Sequence, residues 1–495
     1  MRNRIISLFL SAAFLLTFFH GEPAFAAASP EPVAVTDIGI KPGVYDKLIS
    51  DDRNVQRPAA ASVDGGSANS VKINIRGESS RWIGQAIPTR RIPFRIKYSA
   101  GNALTEQLGN KSVIYRNAFT PFRLLAEAVA MDLFEYMDVP TPAHAFSFVQ
   151  FNGVDFGLYL TIEEVNETFL AKHFSGNLFS LYKSVSDQIP AKRYDSVWFG
   201  TLEAEIDRGS ADLLRLTDAL DKGNDYERYL DTDEFLRALA CIAAIGGGGS
   251  FALENKDFIL YDNNGKFVLI PWDMDEAFRD YPTENSIDRF YLNDDPNCPN
   301  PLFDLILSNP AYKTQYYAYL NQILDGFLAP EILFPKVEAL VRDISPYLMR
   351  DTSIFLNSDS VASDLLYETR LEKCPLMYTL QNYYTSLKEQ LNGTAQHFFV
   401  NPQYDLNEFE LTVGGVAGYY AAHSPMLNTD LPELIRSAYP AWKKNAYGEG
   451  FPGLDRESLF ALGVFAAGAF VLALSFIIPA CRGRRPLQPK TKKRP

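Results

Sequence analysis

Apolar and polar side chains alternate along Val71-Lys72-Ile73-Asn74-Ile75, a period of two that predicts a strand, and Arg91 to Tyr98 resumes the pattern after a polar loop. Ala145 to Phe151, an Asn152-Gly153 turn and Gly157 to Ile162 predict a hairpin ending at Glu163-Glu164. Asn177 to Tyr182 reads as a short strand closing on Lys183. A further hairpin is written in Asp257-Phe258-Ile259-Leu260-Tyr261, a turn at Asp262-Asn263-Asn264-Gly265, and Lys266-Phe267-Val268-Leu269-Ile270. Its second strand runs into Pro271-Trp272-Asp273-Met274-Asp275 and so projects two carboxylates from a stiffened end. Helical spacing replaces alternation at Leu125, Val129, Leu133 and Met137, and again over Asp212 to Leu220, Thr232 to Ile245, Pro330 to Met349 and Leu365 to Leu391. Gly246-Gly247-Gly248-Gly249 stops the helix that begins at Thr232.

Two apolar segments stand outside this pattern. Residues 1–26 combine Arg2 and Arg4 with the apolar run Ile5 to Phe19 and the small-residue site Ala24-Phe25-Ala26, which predicts a secretory signal peptide. Leu459 to Ala480 is apolar for 22 residues, and Arg482, Arg484, Arg485, Lys490, Lys492, Lys493 and Arg494 follow it with no acidic residue among them. That predicts one membrane-spanning helix with a cytoplasmic tail and the bulk of the chain outside. The expected division is a signal peptide at 1–26, a folded domain at 27–411 and a juxtamembrane spacer at 412–457 with room for one short helix. A membrane helix at 458–480 and a basic tail at 481–495 complete it.

The chain carries a net charge of −13. Without the basic tail and the signal peptide the charge is about −21, which disfavours nucleic acid and anionic surfaces and favours cations. Of the exported cysteines, Cys298 and Cys374 form the plausible bridge, because Cys241 lies in an apolar helical run; Cys481 falls at the membrane face. His144, His173, His397 and His423 show no zinc spacing, and no nucleophile elbow or P-loop occurs.

Several segments, in this order, resemble the spore-coat-protein-H (CotH) family of atypical protein kinases. They are Ile75-Arg76-Gly77-Glu78-Ser79-Ser80, Arg91 to Lys97, Phe151-Asn152-Gly153 with Gly157-Leu158-Tyr159, Glu163 before Val165, Leu181-Tyr182-Lys183, and the hairpin ending in Ile270-Pro271-Trp272-Asp273-Met274-Asp275. Together they cover roughly residues 70 to 280. The resemblance implies an α+β fold of the two-lobed, atypical protein-kinase type, Mg²⁺ and ATP as cofactors, and a protein of the envelope or coat as substrate. It implies Asp273 as the metal ligand with Asp275 beside it, and Arg91, Glu163 and Lys183 at the nucleotide. On the residues alone, Glu163 reads as a solvated carboxylate at a helix start and Lys183 as a surface lysine.

The chain departs from the family pattern at two places. Arg90-Arg91 stands where the family has Lys-Lys, and a planar guanidinium does not replace a point charge everywhere. Kinase-like sites also place an aspartate five residues ahead of a metal-binding Asn. One register gives Ala252 and Asp257; the other gives Ser250 and Asn255. Neither supplies the carboxylate. The expected function is an exported, membrane-anchored protein kinase acting on Ser or Thr, and the alternative is a pseudokinase of the same fold serving in assembly or adhesion. A carbohydrate-active enzyme with paired carboxylates is a third reading, with no pair singled out by the sequence.

Overall fold

In the computed structural model, the residues described are 33–50, 55–77, 91–117, 121–184, 193–246, 257–278, 284–285, 287, 299–351, 376–394, 398–399 and 431–447. Outside them lie the predicted signal peptide and membrane helix, Ser250, Ala252, Asn255, and the cysteines Cys298, Cys374 and Cys481. The chain divides into two units between Trp442 and Lys443, and of the second the described part is residues 443–447, which end a helix.

The first unit opens with β1 (Ala34–Gly39), α1 (Pro42–Ile49), β2 (Arg57–Val63), β3 (Asn69–Ile75) and β4 (Phe94–Tyr98). It continues with α2 (Ala103–Leu108), β5 (Ser112–Arg116), α3 (Pro121–Tyr136) and the hairpin β6 (His144–Phe151) and β7 (Val154–Glu163). These strands close into a barrel in the order β1-β2-β3-β4-β5-β7-β6. Its seam is a parallel pairing of β1 with β6, from Ala34 opposite Ser147 to Ile38 opposite Phe151. The alternation in β3 and β4 turns Val71, Ile73, Ile75, Phe94, Ile96 and Tyr98 inward. Phe94 stacks on Tyr115 with ring centroids 4.8 Å apart. The buried hydroxyls satisfy one another: Tyr98 meets Tyr115 at 2.6 Å, Tyr115 meets Thr36 at 3.2 Å, and Thr36 meets Ser147 across the seam at 2.8 Å. Burial pushes the Tyr115 phenol up to about 12. The barrel is therefore packed through its middle, and the chemistry has to lie outside it.

The predicted strand from Arg91 begins as β4 only at Phe94, because Pro93 has no N–H to give the ladder and contributes its carbonyl to Arg76 N at 3.1 Å instead. Likewise the strand expected from Asn177 is confined to β8 (Leu181–Ser184), which follows α4 (Glu167–His173).

Beyond β8 come β9 (Arg193–Ser196), β10 (Gly200–Ile206), α5 (Ala211–Lys222), α6 (Thr232–Ala244), β11 (Phe258–Asn263) and β12 (Lys266–Pro271). The second sheet has the order β12-β11-β8-β10-β9. The strands β8, β11 and β12 are buried on both faces along most of their length, which is why β11 and β12 read as continuous apolar runs, whereas β9 and β10 at the other edge are polar and more open. Tyr182, Leu260, Phe267 and Leu269 join a core shared with α3, α6 and the outer face of β6 and β7. Leu181, Ile259, Tyr261, Val268 and Ile270 pack on α4. The helices α7 (Pro301–Leu307), α8 (Pro310–Gly326), α9 (Pro330–Leu348), α10 (Leu376–Leu391) and α11 (Leu431–Tyr447) complete the described α-helices, and Glu284–Asn285 pairs with Phe398–Phe399 in a two-stranded sheet. None of the described helices is long and apolar enough to cross a membrane.

Contacts from the end of α9 and from α11 fix how these parts meet. Asp351, just past α9, accepts from Arg91 Nη1 at 2.7 Å and from Leu158 N at 2.7 Å, and both side chains of this ion pair are almost wholly buried. Gly157 makes room for it: its φ is 145°, and a Cβ there would lie 2.6 Å from the Asp351 carboxylate. Within the stretch expected as a spacer, α11 runs for 17 residues and buries Ile435 and Trp442 against the barrel. Trp442 covers Gly39 and donates from its indole to Asp37, while Asn152 donates to the Ile435 carbonyl at 2.8 Å.

The free edge of β12 is covered by the chain entering α6. Phe267 N donates to Tyr229 O at 2.7 Å, Asp231 N donates to Phe267 O at 2.9 Å, and Leu269 N donates to Glu234 Oε2 at 3.1 Å. Glu234 is buried, its Oε1 has no hydrogen-bond partner among the described residues, and burial pushes its carboxyl up to about 8. The folded protein thus keeps a proton that the unfolded chain releases near 4.5, so this contribution is full below about pH 4.5 and is lost as pH rises towards about 8. Glu234→Gln should flatten that decline, read as urea midpoints at several values between pH 5 and pH 8. An unchanged slope would place the pH dependence elsewhere.

Candidate functional site

Pairing of Phe258 with Pro271 at the base of the second hairpin brings Asp257 and Trp272 side by side, with Asp273 one residue beyond. Asp257 has φ 57° and Asp273 has φ 59°, so both acids hold left-handed backbone at the two ends of one hairpin. Aspartate is among the few non-glycine residues that tolerate this region, at a cost of about 1–3 kcal/mol each. Such strain is retained where the surroundings dictate a side-chain direction. Asp275 follows in a short turn over Met274–Glu276.

Facing these acids is Arg116, the last residue of β5. Its guanidinium grips Glu127 of α3 through two bonds, Nε to Oε2 at 3.3 Å and Nη2 to Oε1 at 3.1 Å. Nη2 also donates to Asp273 Oδ1, and Asp275 Oδ1 lies 4.0 Å away. Burial opposes the charge on Arg116, but Glu127 and Asp275 outweigh it and hold the guanidinium above its ordinary pKa. Arg123 Nη1 donates to the Asp275 carbonyl at 3.4 Å. A small pocket open to solvent lies here, with Met131, Trp272 and Met274 as an apolar wall beside Arg116, Glu127 and Asp273.

Lys183 of β8 stands opposite Ile259 of β11 and Glu203 of β10. It is no ordinary surface lysine. Its ammonium lies 4.8 Å from the centroid of the Trp272 ring, with no hydrogen bond or ion pair to it among the described residues. Burial and the Arg76 charge pull it down to about 8, against the opposing fields of Glu205 and Asp257. Lys183, Arg76 and Arg116 therefore place three cations around a group of carboxylates, an arrangement suited to an anion that carries its own metal.

Among the described residues no three carboxylate, histidine or cysteine side chains gather closely enough to cage a metal ion. Mg²⁺ does not require such a cage: it takes one or two carboxylates and completes its shell with water and phosphate oxygens. Asp273 and Asp275 fit that role, since a side-chain cation, the guanidinium of Arg116, already stands against them.

The other predicted residues have different surroundings. Arg91, expected at the phosphates, spends its guanidinium on Asp351, on the Leu158 carbonyl and over the Tyr159 ring at 4.9 Å. Glu163 is fully buried, not a solvated helix-start carboxylate, and accepts from Lys172 Nζ at 3.1 Å and from Ala143 N at 3.2 Å. Its neighbour Glu164 ties Arg76, Arg95 and Ser112 together at the barrel mouth; burial works against its charge, yet these partners hold its carboxyl below the usual range. Sequence reasoning passed over Arg116 and Glu127. The available signal was an acid in line with Leu124 and Met131, at i−3 and i+4 on α3.

Fold and site define an α+β protein in which a mixed-charge cleft opens between a closed barrel and a second sheet. The chain belongs to the CotH kinase protein family, whose model matches residues 73–389. It is similar to the inner spore coat protein H of Bacillus subtilis (strain 168), with 25% identity over 243 residues. The match covers 46% of this chain and 66% of that relative, just under two thirds of its length.

Proposed function

We propose that the protein is an exported, membrane-anchored kinase that transfers the γ-phosphoryl group of ATP, with Mg²⁺, to Ser or Thr of envelope or coat proteins. The observation that carries this reading is the cluster in which Arg116 is pinned between Glu127 and Asp273 while Lys183 lies over Trp272 with no ion pair among the described residues. Bound Mg²⁺·ATP would supply the transferable phosphoryl group and the neutralising metal charge. Asp273 and Asp275 would hold the metal, Lys183 and Arg116 would meet phosphate oxygens, and the Met131, Trp272 and Met274 wall would exclude water. Export and anchoring rest on the signal-peptide pattern and on the apolar segment at 459–480, and spore-coat action on the name of the relative.

A pseudokinase of the same fold is favoured by one particular, the want of a carboxylate at Ser250 and Ala252. A general base contributes about 10²–10⁴-fold. Radiolabelled phosphate transfer to a Ser-rich acceptor at saturating Mg²⁺ and ATP is therefore expected to be slow in the wild type. It should rise by at least about tenfold in either Ser250→Asp or Ala252→Asp. The responding variant identifies the register of this loop. Wild-type turnover at roughly 1–100 s⁻¹ would mean that another group takes the proton. Absence of both nucleotide binding and transfer in all three proteins would leave the assembly reading in its place.

A further inference from the structure

Building on the reading just given, we propose that Arg116 is a built-in counterion that occupies Asp273 until nucleotide phosphate draws it away, so that metal and nucleotide bind cooperatively and the free metal binds poorly. Three observations lead there. First, Nη2 of Arg116 is shared between Glu127 and Asp273, so the carboxylate assigned to the metal is already neutralised by a side chain of its own chain. Arginine stays charged throughout the working pH range, so this cation does not leave by losing its proton. A divalent ion arriving alone at Asp273 would have to displace the guanidinium or sit beside it against like-charge repulsion.

Second, the two ends of this contact differ. Glu127 is buried, with a side-chain exposure of 2%, and takes both Nε and Nη2, whereas Asp273 is 31% exposed and takes a single bond. Glu127 is the pivot, and Asp273 is the contact that yields. Third, Nη1 of Arg116 has no hydrogen-bond partner among the described residues, in a guanidinium that lines the cleft. A phosphate oxygen taken by Nη1 and Nη2 would replace the bond to Asp273 with a two-pronged one while Glu127 keeps its hold. Asp273 would then be released at the moment when a phosphate stands ready to complete the shell of the metal. Linkage makes the effect mutual: if nucleotide tightens the metal, the metal tightens nucleotide by the same factor.

The test is titration calorimetry of the full chain with MgCl₂, with and without saturating ADP. The wild type should bind Mg²⁺ weakly alone and about tenfold or more tightly with ADP. Arg116→Gln alone would strand the buried Glu127 charge and risks misfolding, so the informative protein is Arg116→Gln combined with Glu127→Gln, which removes both charges together. In it Mg²⁺ alone should bind several-fold more tightly than to the wild type, and the factor by which ADP tightens Mg²⁺ should be several-fold smaller than in the wild type, what remains being the bond of the phosphate itself to the metal. Arg116→Lys, with the charge kept but no fork to hold two partners, should fall between. If the wild type binds ADP and yet Mg²⁺ affinity and its response to ADP are unchanged in the double variant, the inference is overturned while the nucleotide site stands. If the wild type binds no ADP at any Mg²⁺ concentration, the kinase reading fails and the inference fails with it.

Discussion

Asp351→Ala is expected to destabilise the fold by about 3–5 kcal/mol, the usual cost of removing one partner from a buried ion pair. The loss strands the Arg91 guanidinium in the interior and leaves Leu158 N without its acceptor, since both bonds go to the same carboxylate oxygen. Against a total stability of about 5–15 kcal/mol this is a large share. Urea unfolding should show a lowered midpoint with little change in slope. Gly157→Ala should act through the same place, because its Cβ would press on the Asp351 carboxylate from a backbone angle that alanine resists. The same measurement judges the role of Arg91. If Asp351→Ala left stability intact but weakened nucleotide binding, Arg91 would belong with the phosphates, as the family comparison of the sequence suggested.

Asp273→Asn should separate binding from folding. Asparagine keeps the volume and tolerates left-handed backbone, and the lost contact with Arg116 is partly open to solvent, so stability should change by no more than about 1 kcal/mol. Mg²⁺-dependent nucleotide affinity should fall further. Outer partners of a metal ligand typically cost about 10–100-fold, and a direct ligand is expected at or above the upper end of that range. Asp275→Asn should stay within it. Equal affinities for Mg²⁺·ADP in the wild type and in Asp273→Asn would remove Asp273 from the metal site.

The two hairpins were legible because their turns and their strands agree. Asn152-Gly153 is the turn of β6 and β7, and Asp262 receives Gly265 N at 2.6 Å in the turn of β11 and β12. The antiparallel pairing of Phe258–Asn263 with Lys266–Pro271 follows from that turn. Closure of the barrel does not. Its seam joins residues more than a hundred positions apart, and β1 and β2 carry Asp37 and Ala59-Ala60-Ala61, which are weak strand formers. Arg116 and Glu127 were hidden for a related reason: each looks ordinary within its own element, and meaning comes from the tertiary pairing of a strand end with a helix face. Arg91 has surroundings that its motif does not announce. Its place in a recognised motif suggested a ligand, while its partner Asp351 lies 260 residues further on.

The parallel seam sets the smallest piece of chain that can stand by itself. The family match begins at residue 73, inside β3, and so leaves out β1 and β2. A polypeptide trimmed to 73–389 would turn a continuous wall into an open ribbon, with β3 and β6 as bare edges. It would also uncover the hydroxyl of Ser147 where Thr36 had met it. Bare edges of this kind recruit strands from other molecules. The family match and the closed barrel thus have different boundaries in this protein, and on the N-terminal side they differ by the described residues 33–50 and 55–72.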